Sequence, residues 1–426
     1  MSKRIYLCLA HMSETGMEQM YIQEAFDTNW VVPLGPNVNG FEKDLEAFVN
    51  NTQRQDSHTP LDKKVVALSA GTAAVHLALL ACGVGPGDDV IVQSFTFCAS
   101  SHPVTYLGAT PVFVDSEADT WNMDPLLLEE AIKDRIAQTG KKPKAIVPVY
   151  LYGMPAKIEE IMVIANKYAI PVIEDAAEGL GSRYDGQVCG TFGRYGVLSF
   201  NGNKMITTSG GGALVCPDEE AKKKIMFYAT QARESYPYYQ HEEIGYNYRI
   251  SNICAGIGRG QMTVLDDHIR HHRHIQALYR ELLKGVEGIT LHENPDSRMD
   301  SNFWLCTVLL APSLHVKGEE RAYEILIQGA VGGTAGVTHQ AASVHTGCEP
   351  QANVEAMRMA LDAAGIESRQ LWKPMHLQPV YKNNPCYVNG ISESLFKQGL
   401  CLPSGPCVTD EDVEYIVEKI KDCIKK

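Results

Sequence analysis

The sequence predicts an α/β protein, a mostly parallel sheet flanked by helices, with a smaller α+β unit behind it. Three observations predict this. Short apolar runs rich in β-branched residues alternate with helical patterns from about residue 60 to 216, the order that builds crossover units around a sheet. Those runs are apolar nearly throughout rather than at every second position, as strands covered on both faces are. Beyond about residue 250 longer helical patterns take over.

In order, the expected strands are 64–69, 89–93, 111–115, 145–149, 171–174, 196–200 and 212–216, a seven-stranded sheet. Helical patterns intervene, for example at 72–81, 124–137 and 158–167. A long helical pattern then runs from 251 to about 285, followed by an apolar run at 302–310, a helix near 354–364 and a final helix near 410–425. The segment 329–351 is rich in small residues with weak periodicity and reads as a loop insertion. The chain divides accordingly into an N-terminal segment (1–50), a large unit (51–265) and a small C-terminal unit (266–426). Sheets of this kind bind ligands beyond the carboxyl ends of their strands, so the residues just after each strand carry the interest.

Composition narrows the classes. The formal charge of −13 supplies no basic face for nucleic acid or an anionic membrane. Twelve cysteines are scattered with no C-x-x-C pair, and neither a signal peptide nor a run of membrane-spanning length is present. Reduced thiols and a cytoplasmic location are the expectation.

Four post-strand segments carry chemistry. Ser69-Ala-Gly-Thr-Ala-Ala-Val-His76 follows a strand and opens a helix, so free N–H groups there can grip a phosphate or merely turn the chain. Ile173-Glu-Asp-Ala-Ala-Glu178 ends a strand in acids, where a carboxylate can serve a protonated ring nitrogen or cap a helix. Lys204 lies in Ser199-Phe-Asn-Gly-Asn-Lys-Met-Ile-Thr-Thr-Ser-Gly-Gly-Gly212, with no carboxylate within ten residues on either side. A partly desolvated lysine there is a nucleophile, and a solvated one is a surface turn. Gly245-Tyr-Asn-Tyr-Arg-Ile-Ser-Asn252 is a polar-aromatic block before the long helix.

These blocks, in this order, resemble the DegT/DnrJ/EryC1/StrS sugar aminotransferases, nearest the bacillosamine-type transaminases that make UDP-4-amino-4,6-dideoxy sugars. Pro33-Leu-Gly-Pro-Asn-Val-Asn39 and Trp372-Lys-Pro-Met-His-Leu-Gln-Pro-Val-Tyr381 also fit, and the likeness runs from about Leu34 to Ser404 outside the insertion. It implies the pyridoxal phosphate (PLP) transferase fold type I, with the N-terminal segment packing at the active site and dimer interface. It implies that Lys204 holds PLP as a Schiff base and shuttles the proton, and that Asp175 pairs with the pyridine nitrogen. Gly71, Thr72 and Ser199 hold the phosphate, joined by Asn247 from the second subunit of a homodimer. Phe97 stacks on the ring, and Glu178 stands beside its 3-hydroxyl, where many members place glutamine. Arg249, Trp372, Lys373 and His376 approach the substrate. The implied reaction passes an amino group from glutamate, released as 2-oxoglutarate, to a keto-sugar nucleotide, at C4 of a UDP-4-keto-6-deoxy-N-acetylhexosamine.

Competing readings are a dehydratase of the same fold and a non-catalytic PLP-binding regulator. Sugar 3-dehydrases carry histidine at the lysine position, so Lys204 favours transamination. No G-x-G-x-x-G follows the first strand, which removes the nicotinamide oxidoreductases, and there is no Ser/His/Asp signature or Walker loop. His268, His271, His272 and His274 cluster in one helix, but the interleaved arginines disfavour a dication and the expectation is a solvated face with no metal.

Overall fold

The computed structural model describes residues 4–52, 60–322 and 348–425; most of the expected insertion lies outside them. Two helices come first, α1 (Met17–Asp27) and α2 (Pro36–Val49). The alternating region follows as β1 (Lys64–Leu68), α3 (Gly71–Ala81), β2 (Asp89–Gln93), α4 (His102–Tyr106), β3 (Thr110–Val114), α5 (Pro125–Thr139), β4 (Ala145–Val147), α6 (Ile158–Tyr168) and β5 (Ile173–Asp175). Next come β6 (Arg183–Tyr184), β7 (Gln187–Val188), β8 (Tyr195–Ser199), β9 (Gly212–Cys216), α7 (Glu219–Ala229), α8 (Asn252–Met262) and α9 (Leu265–Leu283). The C-terminal part holds β10 (Ile289–Leu291), β11 (Met299–Asp300), β12 (Cys306–Leu310), α10 (Ala352–Ala363), β13 (Arg369–Gln370), β14 (Cys386–Tyr387), α11 (Ile391–Gln398), β15 (Gly399–Leu402) and α12 (Asp410–Cys423).

The main sheet is two four-stranded ladders. One runs β14-β3-β2-β4 and is parallel throughout; the other runs β1-β9-β8-β5. Parallel bridges from Ile146 to Val172 and from Val149 to Asp175 join them at β4 and β5. Within the second ladder β9 runs antiparallel to both neighbours. Successive residues of one strand enter different cores: Val65 and Ala67 pack on one face, Val66 and Leu68 on the other. Both faces are therefore covered, which explains apolar runs without alternation. A third core lies between α9, α10 and α12 and the sheet ordered β10-β12-β15-β13.

Local chemistry sets the helix ends. Asp124 accepts from the N–H groups of Leu126 and Leu127 ahead of Pro125, and Gly140, in the left-handed region, closes α5. Thr409 and Asp412 form a reciprocal cap on α12.

The structure departs from the expectations in three places. The long helix from 251 is two, α8 and α9, broken at the β-branched pair Thr263-Val264, where the Thr263 hydroxyl donates to the Gly260 carbonyl. The run at 302–310 becomes a strand only at Cys306, because Asn302 and Phe303 are committed to side-chain bonds and Phe303 has φ 49°. The two-residue β14, contributed from far along the chain, adds to the β3 edge. No helix among the described residues is long and apolar enough to cross a membrane.

Candidate active site

A cavity of about 310 Å³ opens at the carboxyl ends of the strands, lined among others by Gly71, Thr72, Asp175, Glu178, Ser199 and Lys204. One end is the start of α3. Ala70 is extended and offers no side-chain cap, so the first N–H groups of α3 are left for whatever the cavity holds. Gly212 is what lets β9 approach this turn: a Cβ on it would lie 2.4 Å from the Gly71 nitrogen. Ser199 closes the same corner, 3.1 Å from where a Gly71 Cβ would sit.

Two buried acids form the floor. Asp175 accepts from the Ser100 hydroxyl at 2.6 Å and the Ala177 N–H at 3.1 Å. Burial pushes its carboxyl up, against those two bonds and the Lys204 charge. Glu178 accepts from the Tyr152 N–H at 2.7 Å and lies 3.2 Å from Lys204 Nζ. Burial raises this carboxyl as well, with Lys204 opposing. The sequence window around Lys204 contains no acid, yet the fold supplies one in contact. The ammonium also lies 4.0 Å from the centroid of the Trp304 ring.

The wall is aromatic. Phe97, 55% exposed, leans on Trp372 with ring centroids 5.3 Å apart. Trp372 is fixed in turn by its backbone N–H, which donates to the Tyr152 hydroxyl at 2.9 Å. Tyr152 holds φ 54°, a conformation rare outside glycine, and the next residue, Gly153, has φ 93° with Asn302 Oδ1 only 1.9 Å from its would-be Cβ. Backbone strain of this kind persists where surroundings over-determine it, here behind Glu178.

Other expected site residues fall elsewhere in the chain. Lys373 lines an adjoining cavity of about 420 Å³ that shares Thr96, Phe97 and Trp372 with the first. His376 lines neither cavity and bonds Ser94 Oγ at 2.7 Å. Arg249 is spent in a buried pair with Glu42 at 2.5 Å and on the Ala67 carbonyl at 2.9 Å. Asn247 borders a separate cavity of about 750 Å³ with Arg233 and His241. The histidine cluster is not a solvated face: His268 and His272 are 5% and 0% exposed. Their Nδ1 atoms meet the carbonyls of Met205 and Phe303, at 3.0 and 3.2 Å. The helix turns these residues inward because α9 packs under the lysine loop; burial lowers His268, and takes His272 down to about 3.

Sequence reasoning missed Ser100, Tyr152, Asn302 and Trp304. Ser100 stands three residues after Phe97, in Ser94-Phe-Thr-Phe-Cys-Ala-Ser100, so a signal existed for it. Trp304 was hidden inside the apolar run at 302–310.

The family model for the DegT/DnrJ/EryC1/StrS aminotransferase family matches residues 13–335 and 330–421, two pieces that meet within the expected insertion. EpsN of Bacillus subtilis, named for a pyridoxal phosphate-dependent aminotransferase, is 43% identical over 422 residues, 98% of this chain and 95% of its own. GDP-perosamine synthase of Escherichia coli is 33% identical over 98% of both chains. The crystal structure of a DegT/DnrJ/EryC1/StrS aminotransferase from Brucella abortus superposes with a TM-score of 0.79 at 28% identity, covering 96% of this chain and 95% of that one. With the family model matching residues 13–335 and 330–421 and a relative 43% identical over 98% of its length, the chain belongs to the DegT/DnrJ/EryC1/StrS aminotransferase family.

Proposed function

We propose that this aminotransferase uses PLP to move an amino group from glutamate to a keto-sugar nucleotide, with C4 of a UDP-4-keto-6-deoxy-N-acetylhexosamine as the acceptor. The observation that carries the reading is that Lys204, Asp175 and the open end of α3 share one cavity. The donor set suits the cofactor. Gly71, Thr72 and Ser199 would hold its phosphate at the positive helix end, Asp175 its ring nitrogen, Phe97 its face and Lys204 its aldehyde carbon. PLP, when bound, supplies an electron sink for the charge left at a carbon that loses a proton.

The chain's own residues do the rest. Asp175 is kept in place by Ser100 and Ala177, so its carboxylate meets a ring nitrogen without reorganising. Lys204 Nζ carries a proton across the cavity as general acid and base. Trp372 and Phe97 restrict water on the open side. Asn247, outside the Lys204 cavity, would act in the partner's site of a homodimer, whose interface would cover the exposed Trp30, Val31, Leu34, Tyr239 and Ile244. The printed name of EpsN supports the cofactor and that of the perosamine synthase supports a nucleotide-linked sugar.

The test is optical and then chemical. Incubation with PLP should give a visible band that shifts on adding glutamate; a colourless protein sinks the reading. A panel of UDP- and TDP-linked 3-keto and 4-keto sugars, with products read by NMR, assigns the acceptor and the carbon.

A further inference from the structure

We propose that Trp304 is a positioning residue, its indole face being the berth on which the Lys204 ammonium rests, in contact also with Glu178, whenever that amine is not bonded elsewhere. The inference rests on the reading of Lys204 as the cofactor lysine. Lys204 Nζ lies 4.0 Å from the Trp304 ring centroid and 3.2 Å from Glu178 Oε1, so ring and carboxylate both contact one charge. Trp304 is 2% exposed, and a π face attracts a cation more strongly when both are withdrawn from water. Asp175 and Cys8 also act on this amine. The Cys8 thiol is pushed up to about 12 by burial and brings no charge, so the two carboxylates and the ring define the field.

The berth is built as one unit. The Trp304 indole N–H donates to the carbonyl of Asn203, the residue before the lysine, at 2.6 Å. The Trp304 backbone N–H donates to Asn302 Oδ1 at 2.8 Å, and its carbonyl accepts from the Ser404 hydroxyl at 2.8 Å. Asn302 Nδ2 donates at 2.8 Å to the Glu178 carbonyl. One asparagine thus ties ring and carboxylate together, and a flexible four-carbon stem is given one resting place. During an exchange of amino groups the lysine must be released and must carry a proton. A ring face in contact with its ammonium keeps it at hand.

The test uses apoprotein, freed of cofactor by dialysis against hydroxylamine, which takes the aldehyde as its oxime, and then against buffer, and trace acetic anhydride at one mildly alkaline pH. Acetylation of Lys204 is measured by peptide mass against the exposed Lys141. Trp304→Met fills the space without a π face and should raise the Lys204 label about three- to tenfold, because the amine is no longer held against the ring. Trp304→Phe restores a face and should stay within about twofold of wild type. If the Met variant does not fold, Trp304→Leu takes its place. Equal labelling of the Met variant and wild type, or of the Phe and Met variants, overturns the proposal. A wild type indifferent to glutamate would instead sink the transamination reading and leave this order of labelling standing.

Discussion

Glu174 and Asp175 are adjacent on β5 and both buried, yet one faces the scaffold and the other the cavity. Glu174 accepts from the Tyr150 hydroxyl and from the N–H groups of Gly190 and Gly193, so the scaffold fills its oxygens and it clamps the 190–193 turn. Asp175 has two donors and a flank on the cavity. Burial alone does not distinguish them, since it pushes both carboxyls up. What distinguishes a site acid from a structural one here is the acceptor capacity left over.

The comparison can be broken from either side. On the cavity side, Lys204→Ala should lower turnover by about a thousandfold or more while the thermal transition is kept; appreciable transamination by that variant would remove the cavity from the chemistry. Asp175→Asn should keep some cofactor, read by absorbance, and lose most of its turnover because the electron sink is weakened. On the scaffold side the pattern should invert. Glu174→Ala strands three buried donors and should cost about 3 kcal/mol in a denaturant melt, with turnover per folded molecule retained. Equal losses of rate in the two acid variants would erase the distinction.

The smallest expected effect sharpens the scaffold side further. His272 is held neutral by burial, its value taken down from 6.5 to about 3, so the unfolded chain takes up a proton that the folded chain refuses. Its contribution is present above pH 6.5 and lost as pH falls. Acidifying to about pH 5 should therefore cost about 2 kcal/mol of stability. Urea melts across that interval should show this slope in the wild type and a flatter one in His272→Asn.

Most of the sheet was legible in the sequence because both faces of its strands are apolar, a pattern that needs no knowledge of partners. The two-residue strands β6, β7, β11, β13 and β14 left no trace, since each is too short to carry a pattern. Helices α1, α2 and α7 were not read, and the α8/α9 break required seeing one hydroxyl turn back on the helix. At the site, positions just after strands were found because the topology gathers them. The Glu178 contact to Lys204 and the Trp304 ring were not, because 26 residues separate the first pair and the chain between is not local. Arg249 shows the converse: a cation beside a cavity-forming segment whose partner, Glu42, lies 207 positions away.

The reversed direction of β9 has a practical result for the lysine. Parallel neighbours must be joined by a long crossover, whereas antiparallel ones permit a direct return. The segment bearing Lys204 is such a return, leaving the sheet at Ser199 and re-entering it at Gly212. The Lys204 amine, proposed above as the reactive one, is thus carried on a short leash moored to the sheet at both ends.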